Sequence, residues 1–312
     1  MADICSCSTG IINHGQPNCV DSFARDARLV FVEYLDDSGA VNSIKSTDTL
    51  DSTYINDRLN AGATGSSLSL SQRWYVTPTI NNVVGERAEN VVQEIDGIAF
   101  NVRQGNRMYD GTFYGNVAAA PYIKALKSMQ CQKMGFFIID VAGNIIGLNN
   151  ELTGDLDPIK IQQNTLQCLY NFPNSSEVQA INLKFMWEEN EQDGDLSFIG
   201  SSSVGVDLLT ISSVATVVLG EATAISTTGF TTTLSFLYGE QFNRLPKTGG
   251  LPAEFSIYNV TADAAVTPLT APESPDGTYA ITFAAQTAAD VLRVSYFVNG
   301  FESTTDLTVT IP

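Results

Sequence analysis

Residues 292–298 read Leu-Arg-Val-Ser-Tyr-Phe-Val, and residues 305–311 read Thr-Asp-Leu-Thr-Val-Thr-Ile. In both stretches apolar side chains return at every second position, the period of a strand with one face on a core and the other in water. Working back from them, the runs 207–211, 215–219, 230–238, 254–260 and 278–283 are also rich in β-branched and aromatic residues, and Gly, Pro, Asn and Asp clusters separate them. Seven short strands over about a hundred residues predict a β-sandwich.

Within this region Asp276-Gly277-Thr278-Tyr279-Ala280-Ile281 resembles the turn and tyrosine of an immunoglobulin-like domain. Ile281 then stands where an antibody domain carries its second cysteine, and the Tyr279 hydroxyl is expected to tie a corner to backbone. The stretch Gly200-Ser201-Ser202-Ser203-Val204-Gly205 reads as a linker, which places a boundary near residue 203. Residues 204–312 contain no Cys, His, Trp or Met and hold 3 basic against 10 acidic residues, net −7. Residues 1–203 hold 13 against 24, net −11.

The first half is mixed. Residues 1–24 show no usable periodicity and read as an extended arm. A strand is expected over 28–35, and then the polar, Gly/Ser/Asn/Asp-rich text of 36–71 reads as a long loop, a length usually reserved for function or disorder. Strands resume at 73–80 and 91–102. Pro121 suits a first helical position, and Tyr122, Ile123, Leu126 and Met129 fall on one face of a helix ending near 133–135. Phe136-Phe137-Ile138-Ile139-Asp140 and Ile145-Ile146-Gly147-Leu148, joined by Val141-Ala142-Gly143-Asn144, predict a hairpin. A last strand is expected over 181–187. The predicted fold is therefore mainly β: a sandwich or barrel with one packed α-helix over 25–203, followed by an immunoglobulin-like β-sandwich over 204–312.

Charge narrows the function. With 16 basic against 34 acidic residues in 312, a formal net charge of −18, the chain lacks the clustered Lys and Arg that phosphate binding needs. Met1-Ala2-Asp3-Ile4-Cys5 has neither a basic region nor an apolar run after it, so no secretory signal is expected. The run 134–139 is far shorter than the ~20 residues of a spanning helix. Nucleophile–base machinery most often needs histidine, and the chain has one, His14, in the arm. No G-x-S-x-G, P-loop or G-x-G-x-x-G pattern occurs. Paired carboxylates of a glycosidase stay open in principle, but no aromatic-rich pattern selects any two. No catalytic or cofactor-binding residue is expected.

One local cluster is unusual: Cys5, Cys7, His14 and Cys19. Three thiolates and an imidazole form a legitimate tetrahedral zinc set, structural because four protein ligands leave no open position. The alternative is an arm whose cysteines are buried against a neighbouring subunit or oxidise late. Oxygens at alternate positions in 188–195 invite a calcium reading, but the twelfth position of that frame is Gly200, so the closing bidentate Glu is missing. Cys131 and Cys168 read as small core residues.

With the helix, the hairpin of 136–148, the long loop and the immunoglobulin-like tail in this order, the chain resembles the major tail (tail-tube) protein of long-tailed bacteriophages. The resemblance implies a virion structural protein, made and assembled in the host cytoplasm, that self-associates into stacked, hexameric rings and tubes. It also implies contacts with other tail proteins, genomic DNA passing through a conduit without specific binding, no membrane partner, and an outward second domain with cell-surface glycans as possible ligands. Six first domains would bring roughly −66 charges to a ring, and a negative bore repels DNA. The same acidity also serves solubility. The outward domain implies a tail without a contractile sheath. The Cys-rich arm departs from the family pattern. Two rival readings are a head-decoration or fibre protein with a glycan-binding immunoglobulin-like domain, and a carbohydrate-active enzyme with an accessory β-domain.

Overall fold

The computed structural model describes residues 24–63, 66–96, 98–103, 105–114, 119–188, 193–237 and 244–312. The protein is mainly β, with 47% of residues in strands against 10% in helices, as the alternating patterns require. In chain order the first unit comprises β1 (Asp26–Glu33), α1 (Ser52–Leu59), β2 (Tyr75–Val76), β3 (Asn81–Arg87), β4 (Val91–Ile95), β5 (Ile98–Arg103), β6 (Arg107–Tyr114) and α2 (Ala119–Met129). It continues with β7 (Met134–Asp140), β8 (Ile145–Asn149), β9 (Leu156–Asp157), β10 (Ile159–Lys160), β11 (Gln167–Asn171), β12 (Ala180–Met186) and β13 (Leu196–Ile199). One sheet runs β13-β8-β7-β1-β2, with β9 on β8 and β10 on β7; the other runs β11-β12-β6-β3. Their facing sides enclose Phe31, Tyr109, Phe136, Leu183 and Phe185, with Leu126 and Met129 of α2 in the same core. Tyr109 stacks on Phe185 at 5.0 Å between ring centroids, and Phe136 meets Phe185 edge-on at 4.9 Å.

The predicted hairpin of 136–148 is β7 and β8, and it sits at the centre of the unit. Every residue of β7 is buried, which a strand achieves only when both sheet faces are covered. Phe136 and Ile138 belong to the inter-sheet core, whereas Phe137 and Ile139 belong to a second core on the opposite face. The cover there corrects the expectation of a long loop over 36–71. Ile44, Leu50, Ile55 and Leu59 from that segment, with Trp74, pack onto Phe137, Ile139 and Ile145. The segment also contains α1, so the described residues of the unit form two α-helices rather than one. Asp51 caps it by accepting the Tyr54 N–H at 2.8 Å, which satisfies one of the donors that every helix start leaves open.

Four other expectations shift. The strand expected over 91–102 is the hairpin β4–β5, and the strand over 73–80 shortens to β2. The first unit also runs past residue 203: Val204 and Leu208 join the second core, with Val206, Leu209 and Ile211 packed against it. The strand expected at 207–211 is a turn instead. There Asp207 Oδ1 accepts the Leu209 N–H, and the Asp207 carbonyl accepts both the N–H and the hydroxyl of Thr210. Local side-chain bonding of this kind competes with strand formation.

The second unit comprises β14 (Ala215–Leu219), β15 (Thr223–Ser226), β16 (Gly229–Phe236), β17 (Phe255–Asn259), β18 (Ala264–Val266), β19 (Pro268–Thr270), β20 (Thr278–Phe283), β21 (Val291–Val298), β22 (Phe301–Ser303) and β23 (Leu307–Thr310). β14-β16-β20-β19 form one side, and β18-β17-β21 with β22 and β23 form the other. A parallel pairing of β14 with β22 links them into a nearly closed, barrel-like sheet. Phe255, Tyr279, Leu292, Val294 and Tyr296 fill it. The Tyr279 hydroxyl does tie backbone: it donates to the Lys247 carbonyl at 2.7 Å and accepts the Gly250 N–H at 3.0 Å. Tyr279 lies on β20, whose bounds are those expected from the sequence. β20 pairs with β16 in register Ile281↔Phe230, and the Ile281 side chain is buried in the core that residues of both sides fill.

Candidate assembly surface

Among the described residues, the sheet β11-β12-β6-β3 is covered on one face only. Its outward residues form rows across the strands: Glu86, Met108 and Met186; Val84, Asp110, Lys184 and Gln167; Thr112, Asn182 and Leu169. Lys184 and Asp110 form an ion pair at 2.6 Å, and Thr112 donates to Asn182 Oδ1 at 3.1 Å. Among these rows the charged residues are Glu86, Asp110 and Lys184, so the excess of acid is not concentrated on this face. β3 ends the sheet order, and among the described residues its outer row of backbone groups has no ladder partner, an edge that sheet proteins normally protect.

Past Arg87 and Arg107, the last pair of the β3–β6 ladder, the two chains continue outward as β4 and β5. The junction is irregular. Ala88 N–H donates to the Asn106 carbonyl, Gly105 N–H donates to Asn90 Oδ1, and Arg87 donates to the Gly105 carbonyl. The ribbon beyond it is five residues long on the β4 side, roughly 17 Å at the usual strand rise. Asp96 at its turn has φ +53°, a left-handed value that Asp tolerates better than most residues. The register pairs Ile95 with Ile98 and Gln93 with Phe100. Cross-strand partners share a face, so Ile95, Ile98 and Phe100 point to one side. Each is between 49% and 59% exposed, and Val91, Val92 and Val102 are exposed with them. Neither face of the ribbon is covered by the described chain.

The two units are clasped by polar contacts. Arg73 Nη1 meets Glu302 at 2.7 Å, and Asn60 Nδ2 donates to Asn299 Oδ1 at 2.8 Å. Ser213 Oγ accepts the Val76 N–H at 2.6 Å and donates to the Val76 carbonyl at 3.0 Å. Within the first unit, the Arg28 guanidinium donates to the Ile211 carbonyl just before the connection. Residues 212–214 therefore join two units that already touch.

The expected zinc set, Cys5, Cys7, His14 and Cys19, lies outside the described residues, as do residues 189–192 of the acidic run 188–195, of which Glu188 pairs with Lys160 at 3.6 Å. Among the described residues no three His, Cys, Asp or Glu side chains come together as a metal site. Cys168 is buried as expected, and burial pushes its thiol up to about 11. Cys131 is exposed, which corrects its reading as a core residue. Sequence reasoning missed the ribbon because alternation in 91–102 looks the same whether the apolar face meets a core or water; Asp96-Gly97, a frequent hairpin turn pair, was the available signal. No protein-family model matches the sequence, and no curated protein matches it.

Proposed function

We propose that the chain is a virion structural protein, the subunit of a phage tail tube that stacks as hexameric rings around a DNA conduit, with no catalytic step of its own. The observation that supports this is the β4–β5 ribbon. A two-stranded ribbon is marginal in water by itself, and an apolar stripe without cover is characteristic of an interaction surface. In a ring or stack the stripe would be covered by a second copy, and the open edge of β3 beside it would serve the same contact. The acidic chain repels passing DNA in this reading, and the clasped second unit projects outward.

Electron microscopy of the purified protein tests the proposal, with the triple variant Ile95→Ser, Ile98→Ser, Phe100→Ser beside the wild type. Rings or tubes are expected from the wild type. The variant, whose substitutions remove no core contact, is expected to remain monomeric with an unchanged circular dichroism spectrum. Tubes from the variant would refute the role of the ribbon. Discrete wild-type trimers or monomers under all conditions would refute the tube and favour a decoration or fibre protein.

A further inference from the structure

The β4–β5 ribbon has a counterpart elsewhere on the same chain. A cleft of about 530 Å³ opens between the two units, and Trp74, Leu126 and Met129 are in its lining. Of its other apolar residues, Leu70 and Ala125 are exposed and Tyr75 and Val214 half-buried, so a second molecule can reach them. α2, which supplies Ala125, Leu126 and Met129, packs beside β11. β11 and β3 are the two ends of their sheet, three strand spacings or about 14 Å apart, and the ribbon continues from β3 and β6. The chain thus carries an apolar projection at one edge of the sheet and an apolar cleft beside the other. A projection and a cleft on different parts of one surface make a heterologous contact, which repeats head to tail from copy to copy.

Charge selects the same two elements. Residues 89–102 contain Glu89, Glu94 and Asp96 and no basic residue. Residues 111–139, which include α2, contain Lys124, Lys127 and Lys133 and no acidic residue, in a chain whose net charge is −18. All six charged side chains are exposed. Among the described residues none of the three lysines forms an ion pair. Two copies this acidic repel over most of their surfaces, and the approach of an acidic ribbon to a basic helix is an exception that fixes their orientation. We infer that the ribbon of one copy docks in the inter-unit cleft of the next, its Ile95, Ile98 and Phe100 on the apolar lining and its acids toward the lysines of α2. This inference rests on the self-assembly proposed above and names the surface that receives the ribbon.

Two full-length variants test it in analytical ultracentrifugation. Ile95→Ser, Ile98→Ser, Phe100→Ser loses the ribbon stripe and keeps the cleft; Ala125→Trp keeps the ribbon and fills the mouth of the cleft. Each alone is expected to be monomeric with the wild-type circular dichroism spectrum. Mixed, they should form a one-to-one pair and nothing larger, because one working ribbon and one working cleft remain. Lys124→Glu with Lys127→Glu, two surface changes placed in the ribbon variant, should weaken that pair about tenfold at low salt and far less in molar salt. Wild-type tubes together with tubes from Ala125→Trp, or with a mixture that forms no pair, would overturn the cleft and leave the tube reading standing. Wild type that stops at short open chains, with the pair present in the mixture, would sustain the cleft and refute the tube. Monomers throughout would overturn both, and a pair unmoved by the lysine changes would overturn the charge assignment.

Discussion

Ile55 tests whether residues 36–71 are part of the first unit's core. It is 1% exposed, lies on the inner side of α1, and contributes to the core that covers Phe137 and Ile139. Ile55→Ala removes three buried carbons from a site that Trp74 and Phe137, 5.9 Å apart between ring centroids, hold too rigidly to collapse. Burial of an aliphatic side chain of this size is worth about 1.5–3 kcal/mol, and the cavity left behind brings large-to-small core changes to about 2–5 kcal/mol. We expect about 3 kcal/mol, which for a unit of this length lowers Tm by roughly 6–12 °C. The assay is favourable because both tryptophans, Trp74 and Trp187, lie in the first unit. Tryptophan emission follows that unit alone, while circular dichroism follows both. The emission transition should move and the second unit's transition should stay. Leu152→Ala, at a site 97% exposed, should change neither by more than about 0.5 kcal/mol. If Ile55→Ala also fell within that range, the segment would be a peripheral loop and the two-core description would be wrong.

Two further perturbations follow from the second unit and from the buried phenols. Tyr279→Phe deletes a hydroxyl that serves both Lys247 and Gly250; it should cost about 1–2 kcal/mol, measured by urea denaturation, and make the Lys247–Gly250 connection cleavable by protease. Burial raises the hydroxyls of Tyr109 and Tyr296 above their ordinary value and Tyr54 to about 12. The folded state therefore binds these protons more tightly than the unfolded chain does, and the stability they confer is whole below pH ~10 and declines as pH rises above it. Phenolate absorbance from these residues should appear together with loss of the circular dichroism signal; ionisation well before unfolding would contradict their burial.

Much of the second unit was legible in its sequence. The alternation of Leu292, Val294 and Tyr296 defines β21, and 215–219, 278–283 and 291–298 coincide with observed strands, because strands with one wet face display their period directly. The hairpin of 136–148 was legible as well, since a run of apolar residues broken by Gly143 and Asn144 admits few other conformations. α1 was not. Ile55 and Leu59 are its two buried apolar residues, and a helix of eight residues that owes its stability to tertiary packing leaves little periodicity in the text. The boundary near 203 was displaced because Gly and Ser in 200–205 signal a turn equally well within a unit or between units. At the surface, composition and pattern located apolar residues in 91–102 but did not reveal that nothing among the described residues covers them. The partner of a surface is not encoded by its period.

The clasp between the units also bears on what an image of an assembly would look like. A domain swinging on a free tether averages to a blur, whereas one fixed by Arg73–Glu302 and Asn60–Asn299 takes a single azimuth on every subunit. If copies stack helically, the outer domains would form a regular outer lattice with the symmetry of the inner wall. Reconstruction should therefore recover them as sharply as the wall itself.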